Sequence, residues 1–200
     1  MWVHSMITLS SVLVSVLICF VIGVPLGVIA SYNKWYRDIQ NVVLDAMQTL
    51  PYFCYLIPVL MFFGGNIVSA VIATVIYSVP PIIRLTALGL SQVSGSYSEV
   101  SKSFGGTGIQ TLNKVKFPLA VPSLVMGFNQ TVIMAFAMQI VTPLIGGKGL
   151  GLQVFNALQR SDTGRGLSAG LAIVLLAIII DRITHAWTKK QRQALGLDKS

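Results

Sequence analysis

The chain has 200 residues, of which 54% are hydrophobic and only 10% charged. Soluble domains carry charge on near a quarter of their residues, so this composition excludes an ordinary soluble fold and points to an integral membrane protein. The net charge of +8 does not indicate a nucleic-acid binder, because the basic residues are not gathered on one polar face and no aromatic stacking positions are interleaved with them.

About 20 apolar residues are needed to cross roughly 30 Å of hydrocarbon, and five stretches meet that need, near 7–30, 41–63, 66–88, 119–145 and 165–187. The opening MWVHSM lacks the basic flank of a signal peptide and the apolar run after it is too long for one, so the first span reads as a retained helix. Its Gly23, Pro25 and Gly27 imply a bend or a close helix contact. The second span holds Asp45, Gln48, Pro51 and Pro58 and should be kinked; the third meets Pro80 and Pro81, where a break before Arg84 is expected. Asp45 and Asp181 are expected to pair with Arg37, Arg84 or Arg182, since an unpaired central carboxylate costs about 2.5–3.5 kcal/mol. Cys19 and Cys54 fall in apolar stretches, where a free cysteine acts as a small hydrophobe, and no disulfide framework is expected.

Between the third and fourth spans lies a polar island, residues 96–118, SYSEVSKSFGGTGIQTLNKVKFP. Ser96 and Glu99 have the S-x-x-E spacing of a capping box that would start a helix at Tyr97, and Gly105 with Gly106 would end it in a left-handed cap. Thr107 and Gln110 repeat the device for a second short helix, expected to stop before Pro118. With Glu99 engaged in capping, Tyr97, Val100, Ser103 and Phe104 form the contact face, read either by a soluble partner or by the protein's own helices. The fourth span carries the polar run Asn129, Gln130 and Thr131, with Gln139 and Thr142 beyond. Such groups either hydrogen-bond neighbouring helices or line a polar path, and both roles stay open. Residues 146–164 form an amphipathic segment expected to fold as a short helix at the membrane interface. The fifth span, nearly all Ala, Leu, Ile and Val, ends in Asp181, Arg182 and a basic tail.

Loops rich in Lys and Arg stay in the cytoplasm. With the N-terminus outside, Lys34, Arg37, Arg84, Lys102, Lys114, Lys116, Arg182, Lys189, Lys190, Arg192 and Lys199 fall on or near the cytoplasmic side, and only Lys148, Arg160 and Arg165 lie opposite. That puts the polar island and the C-terminus in the cytoplasm. No P-loop is present: Gly146–Gly149 has a Gly-Lys pair without the following Ser or Thr and reads as a turn. ATP hydrolysis, if used, belongs to another chain. Gly166 to Gly170 fits the G-x-S-x-G of serine hydrolases, but no strand precedes it, and His185 lies about 25 Å further along the same helix. Gly166 and Gly170 read instead as a small-residue packing face. No metal site is expected.

The order Glu99, Val100, Ser101, then Gly105, then Val115, Phe117 and Pro118 has the spacing of the EAA loop, with Val100 and Ser101 in place of its two alanines and Phe117 in place of its leucine. Leu44–Pro51, Val79–Val93, Lys114–Ser123, Gly127–Thr131 and Gly170–Thr184 look like the permease subunits that import glycine betaine and proline. The chain therefore resembles type I ABC importer permeases. The resemblance implies an all-α membrane fold, a five-helix core of the methionine-importer-permease type, with residues 1–200 as a single permease domain of bacterial or archaeal plasma membrane. It implies that 96–118 is a coupling helix docking on the ATP-hydrolysing subunit, through Tyr97, Glu99, Val100, Ser103, Phe104, Gly105 and Thr107. Asn129, Gln130, Thr131 and Gln139 are the candidate translocation path. The implied partners are two ATP-binding subunits, which hold ATP and Mg, a second permease copy, and an extracytoplasmic binding protein or fused domain. Members often carry further helices or domains around this core, so a trimmed form of a longer chain is one expectation. A permease for another small solute such as an amino acid, or a non-transporting scaffold that recruits a soluble protein, are the alternatives.

Overall fold

A computed structural model describes residues 1–194, with side chains described to residue 186. Lys199 lies outside the described residues, and the side chains of Lys189, Lys190 and Arg192 are likewise outside them. Among the described residues the chain is helical throughout, without strands. Four helices are long and apolar enough to cross a membrane, and five crossings result if one bent pair counts as a span.

The first span is α1, Trp2–Tyr32, continuous through Pro25. The second is not one helix: α2 (Lys34–Thr49) and α3 (Phe53–Phe63) meet at a 97° bend. Pro51 removes a backbone donor and biases Leu50 to the extended conformation it adopts, at ψ 131. The break expected before Arg84 is confined to one residue, Val79, where the helix is interrupted without ending the span. Helix α4 (Ile67–Ser78) runs through Val79, itself in helical conformation, into α5 (Pro80–Gln92). The prolines sit in the first turn of α5, where a missing N–H costs little, and Ile83 N–H still reaches the Val79 carbonyl at 3.4 Å.

Helices α6 (Gly95–Ser103) and α7 (Gly108–Thr111) form the polar island. Helix α7 does not stop before Pro118 as the sequence suggests. It widens into a π-turn at Leu112–Lys116, and α8 (Phe117–Met138) follows directly. In the π-turn the Phe117 N–H reaches back to the Leu112 carbonyl, and Pro118, again in a first turn, needs no donor. Helix α8 ends at Met138, earlier than the expected limit at 145, so Gln139 caps it and Thr142 opens a 3₁₀ turn to Ile145. Helix α9 (Leu150–Gln159) is the amphipathic segment, and α10 (Thr163–Ala194) the last span.

The core forms where α5 packs between α1 and α8. Gly27 of α1 would place a Cβ 2.7 Å from the Ile83 carbonyl, and Gly23 would place one 2.5 Å from Ile82 Cγ2, so only glycine lets these helices approach. At one end of the bundle the Thr8 hydroxyl accepts the Leu150 N–H at 2.8 Å, tying α9 to α1. At the other end Lys116 lies 4.7 Å above the Tyr32 ring, joining α1 to the base of α8. Gly166 rests against Ala157, whereas Gly170 borders open space, so the expected small-residue face is used at one glycine only.

Candidate functional site

The polar island folds as two short helices, α6 and α7, held together by side-chain hydrogen bonding. Its first cap differs from the sequence expectation: Ser94, not Ser96, is the N-cap, and its hydroxyl accepts the Ser96 N–H. The helix therefore begins at Gly95, and Glu99 is an exposed residue of its interior rather than half of a capping box. Ser94 competes successfully because it has the same hydroxyl two residues earlier, and α6 gains a half-turn by using it. The second cap is formed as expected: Thr107 N–H donates to Gln110 Oε1 at 2.9 Å, and Gln110 N–H to Thr107 Oγ1 at 3.4 Å. Gly105 has φ +76 and ends the first helix through left-handed backbone, its N–H on the Lys102 carbonyl and that of Gly106 on the Ser101 carbonyl. Gly106 is required for another reason, since a Cβ there would stand 2.7 Å from the Ser101 carbonyl oxygen.

Ser101, one of the residues that replaces an alanine of the EAA pattern, bonds the Thr111 hydroxyl at 2.8 Å and clamps α6 to α7. Tyr97, Val100 and Phe104 are all exposed, Phe104 by 88%. Sequence reasoning missed Ile109, 74% exposed on α7. The signal was present in the Thr107–Gln110 box, which leaves Ile109 in a first turn with no apolar partner. Tyr97, Val100, Phe104 and Ile109 thus form an exposed apolar set on the projection, Phe104 and Ile109 the barest of them; contiguous exposed apolar surface of this kind is what interaction sites present.

The fourth-span polar residues divide by environment. Asn129, Thr131 and Gln139 are buried, whereas Gln130 is exposed on the outer face of α8 beside exposed Met126 and Ile133. Gln139 donates to the Thr74 hydroxyl of α4 at 3.5 Å, a helix-to-helix tie. Asn129 Oδ1 and Thr131 Oγ1 are buried without a hydrogen-bond partner among the described residues. Asp45 pairs with Arg84 at 2.6 Å, one of the expected partners. Asp181 instead lies 3.4 Å from His185, its i,i+4 neighbour one turn along α10. His185 and Ser168 lie on the same helix, and the Ser168 hydroxyl donates to the Arg165 carbonyl, so no hydrolase dyad forms.

Residues 23–193 match the family model described as "Binding-protein-dependent transport system inner membrane component". The chain is 46% identical over 185 residues to the glycine betaine/carnitine transport permease protein GbuB of Listeria monocytogenes, covering 92% of this chain and 66% of that protein. It is 43% identical over 184 residues to the glycine betaine transport system permease protein OpuAB of Bacillus subtilis, covering 92% and 65%. With the glycine betaine/proline betaine permease ProW of Escherichia coli it shares 44% over 191 residues, covering 96% and 54%. The chain spans about half to two thirds of the length of these relatives. In structure it resembles a chain of the inward-facing MetNI methionine ABC transporter at TM-score 0.83, covering 92% of this chain and 93% of that one; at 22% identity this likeness shows the fold.

Proposed function

The chain belongs to the family of binding-protein-dependent transport system inner membrane components, and we propose that it is the permease subunit of an ATP-driven importer for glycine betaine/proline-type compatible solutes. The observation that carries this reading is the clamped two-helix projection with Phe104 and Ile109 bare at its surface. An apolar knob at the ends of the helices suits a groove on a soluble subunit, and the names of the relatives at 43–46% identity support the solute class.

In this reading residues 1–200 act as one permease domain of a bacterial or archaeal plasma membrane, with the N-terminus outside and the C-terminus in the cytoplasm. The projection, with Tyr97, Glu99, Val100, Ser103, Phe104, Gly105 and Thr107, faces two ATP-binding subunits, which hold ATP and Mg and perform all hydrolysis. A second permease copy completes the path, and an extracytoplasmic binding protein or domain delivers the solute. Exposed Gln130 supports the second copy, because an amide facing lipid is costly whereas one facing a partner or an aqueous path is not. Closure of the ATP-binding subunits draws the projections together and opens the path outward; hydrolysis returns it inward. Each step requires the ligand to bind the two states with different affinity.

The test is ATP-dependent uptake of labelled glycine betaine by the full-length permease, reconstituted in proteoliposomes with its ATP-binding subunits and binding protein. Uptake that needs ATP and is competed by proline betaine is the expected result. Uptake of an amino acid in its place overturns the solute assignment, and absence of any uptake with normal recruitment of a soluble protein overturns transport itself.

A further inference from the structure

Helix α2 does not have the composition of a helix that crosses hydrocarbon. At about 100° per residue, Trp35, Ile39, Val42, Val43 and Ala46 fall on one arc of it, and Lys34, Arg37, Asp38, Asn41, Asp45 and Gln48 fall on the arc opposite. A charged group at the bilayer centre costs about 2.5–3.5 kcal/mol, so a helix with a face of lysine, arginine and two aspartates does not run through the bilayer core. Helix α3, which follows at a bend of 97°, carries no charged residue and suits that core.

The apolar arc is bare. Leu44 is the one buried residue of α2, while Trp35 and Val42 are 74% and 70% exposed and Ile39 and Val43 are exposed as well. The polar arc meets α5 across a groove of about 440 Å³ that Arg37, Asn41, Asp45, Arg84 and Ser91 line together. Ser91 stands next to the last residue of α5, and α6 starts at Gly95, so the groove opens on the side of the projection. Two arginines share it with one carboxylate, which leaves a positive charge in excess. Arg84 pairs with Asp45 through Nη2 at 2.6 Å, and Arg37 makes no ion pair among the described residues. Guanidinium donors are arranged in a fork that suits phosphate oxygens. Val42 stands about 60° round the helix from Asp45, so the groove and the bare arc are neighbours.

We propose that α2 is a phospholipid-binding element that lies along the bilayer boundary on the side of the projection, with its apolar arc set against acyl chains and the lipid phosphate held in the groove by Arg37 and the remaining donors of Arg84. An amphipathic helix with tryptophan on one face and basic residues on the other takes this position. Tryptophan favours headgroup level, and Trp35 sits in the first turn of α2 beside Lys34. The excess positive charge calls for an anionic group, and the bare arc beside it calls for one that carries hydrocarbon. A membrane phospholipid meets both demands, whereas free phosphate meets only the first. A second permease copy laid on the arc would cover the apolar side chains and leave the charge of the groove unanswered.

The test uses the full-length permease in liposomes with Trp2→Phe and Trp187→Phe, which leave Trp35 as the last of this chain's three tryptophans. Its fluorescence should be quenched about two-fold more strongly by phospholipid brominated near the headgroup than by phospholipid brominated at the chain end. Absence of quenching means that protein covers the arc, and stronger quenching from the chain end means that α2 lies in hydrocarbon; either overturns the proposal. Capture of the phosphate is read by native mass spectrometry of the detergent-purified permease titrated with phosphatidylglycerol. Arg37→Gln should weaken binding about ten-fold, the scale of one lost hydrogen bond to a charged group, and Arg37→Lys should weaken it less. Lys148→Gln, beside Trp2 at the other end of the bundle, should leave it unchanged. Equal affinity of the parent and Arg37→Gln overturns the site. Displacement of the lipid by equimolar inorganic phosphate overturns it too, since the groove would then take a free anion. Neither readout measures uptake, so the lipid site and the import function stand or fall separately.

Discussion

Gly105 offers a direct measure of how far the shape of the projection matters for docking. Its φ of +76 lies in the left-handed region, and an added Cβ would meet nothing within 4 Å. Any substitution there acts through backbone strain alone, without a steric clash to confuse it. The left-handed conformation costs an L-residue about 1–2 kcal/mol, least for asparagine and most for a β-branched side chain. If the projection must hold this turn to dock, the competent fraction falls with that cost and the apparent affinity with it. At 1.4 kcal/mol per factor of ten, Gly105→Ala should weaken binding of the ATP-binding subunit by about 5–30-fold. Gly105→Asn should lose less and Gly105→Val more. Affinity is measured by titrating the ATP-binding subunit onto the permease in nanodiscs, with solute-stimulated ATP hydrolysis read in parallel. A Gly105→Val permease that docks with unchanged affinity and transports fully would refute the coupling role of this turn.

Phe104→Ala and Ile109→Ala should each weaken the same association by about 1–2 kcal/mol without changing permease stability, since neither side chain packs on its own chain; a fall in melting temperature with unchanged docking would reverse that assignment. Gln139→Leu removes a buried tie to Thr74 and should lower stability by about 1–3 kcal/mol with uptake per assembled complex unchanged, whereas Gln130→Leu should leave assembly of the chain intact and alter transport. Gly151→Ala would bring a Cβ to 1.8 Å from the Gln139 carbonyl oxygen; the expected cost of about 3 kcal/mol or more is checked by thermal unfolding in detergent. For topology, a cysteine at Ser101 should be labelled only from the cytoplasm and one at Ser161 only from outside, and labelling of both from one side would overturn the orientation.

Much of this protein is legible in its sequence because membrane insertion and helix capping are local in their causes. Twenty-residue apolar runs declare spans regardless of what they pack against, and the Thr107–Gln110 box and the Gly105 turn arise within a few residues of the chain. The errors fall where two local solutions compete or where a neighbour decides. Ser94 and Ser96 are equivalent candidates for one cap, and only the assembled helix selects the earlier one. Pro80 and Pro118 read as breaks, but each lands in a first turn where proline does no harm, and that depends on how the preceding turn is wound. Long-range placement was legible only as options, with Arg84 one of three partners offered for Asp45. That Asp45 reaches Arg84 across α2 and α5, that Gln139 ties to Thr74 while Gln130 faces outward, and that Tyr52 meets Tyr77 at the bend depend on helix rotation and crossing. Those are set by close glycine contacts such as Gly27 on Ile83 and by the 97° bend at Pro51, and a one-dimensional pattern carries neither.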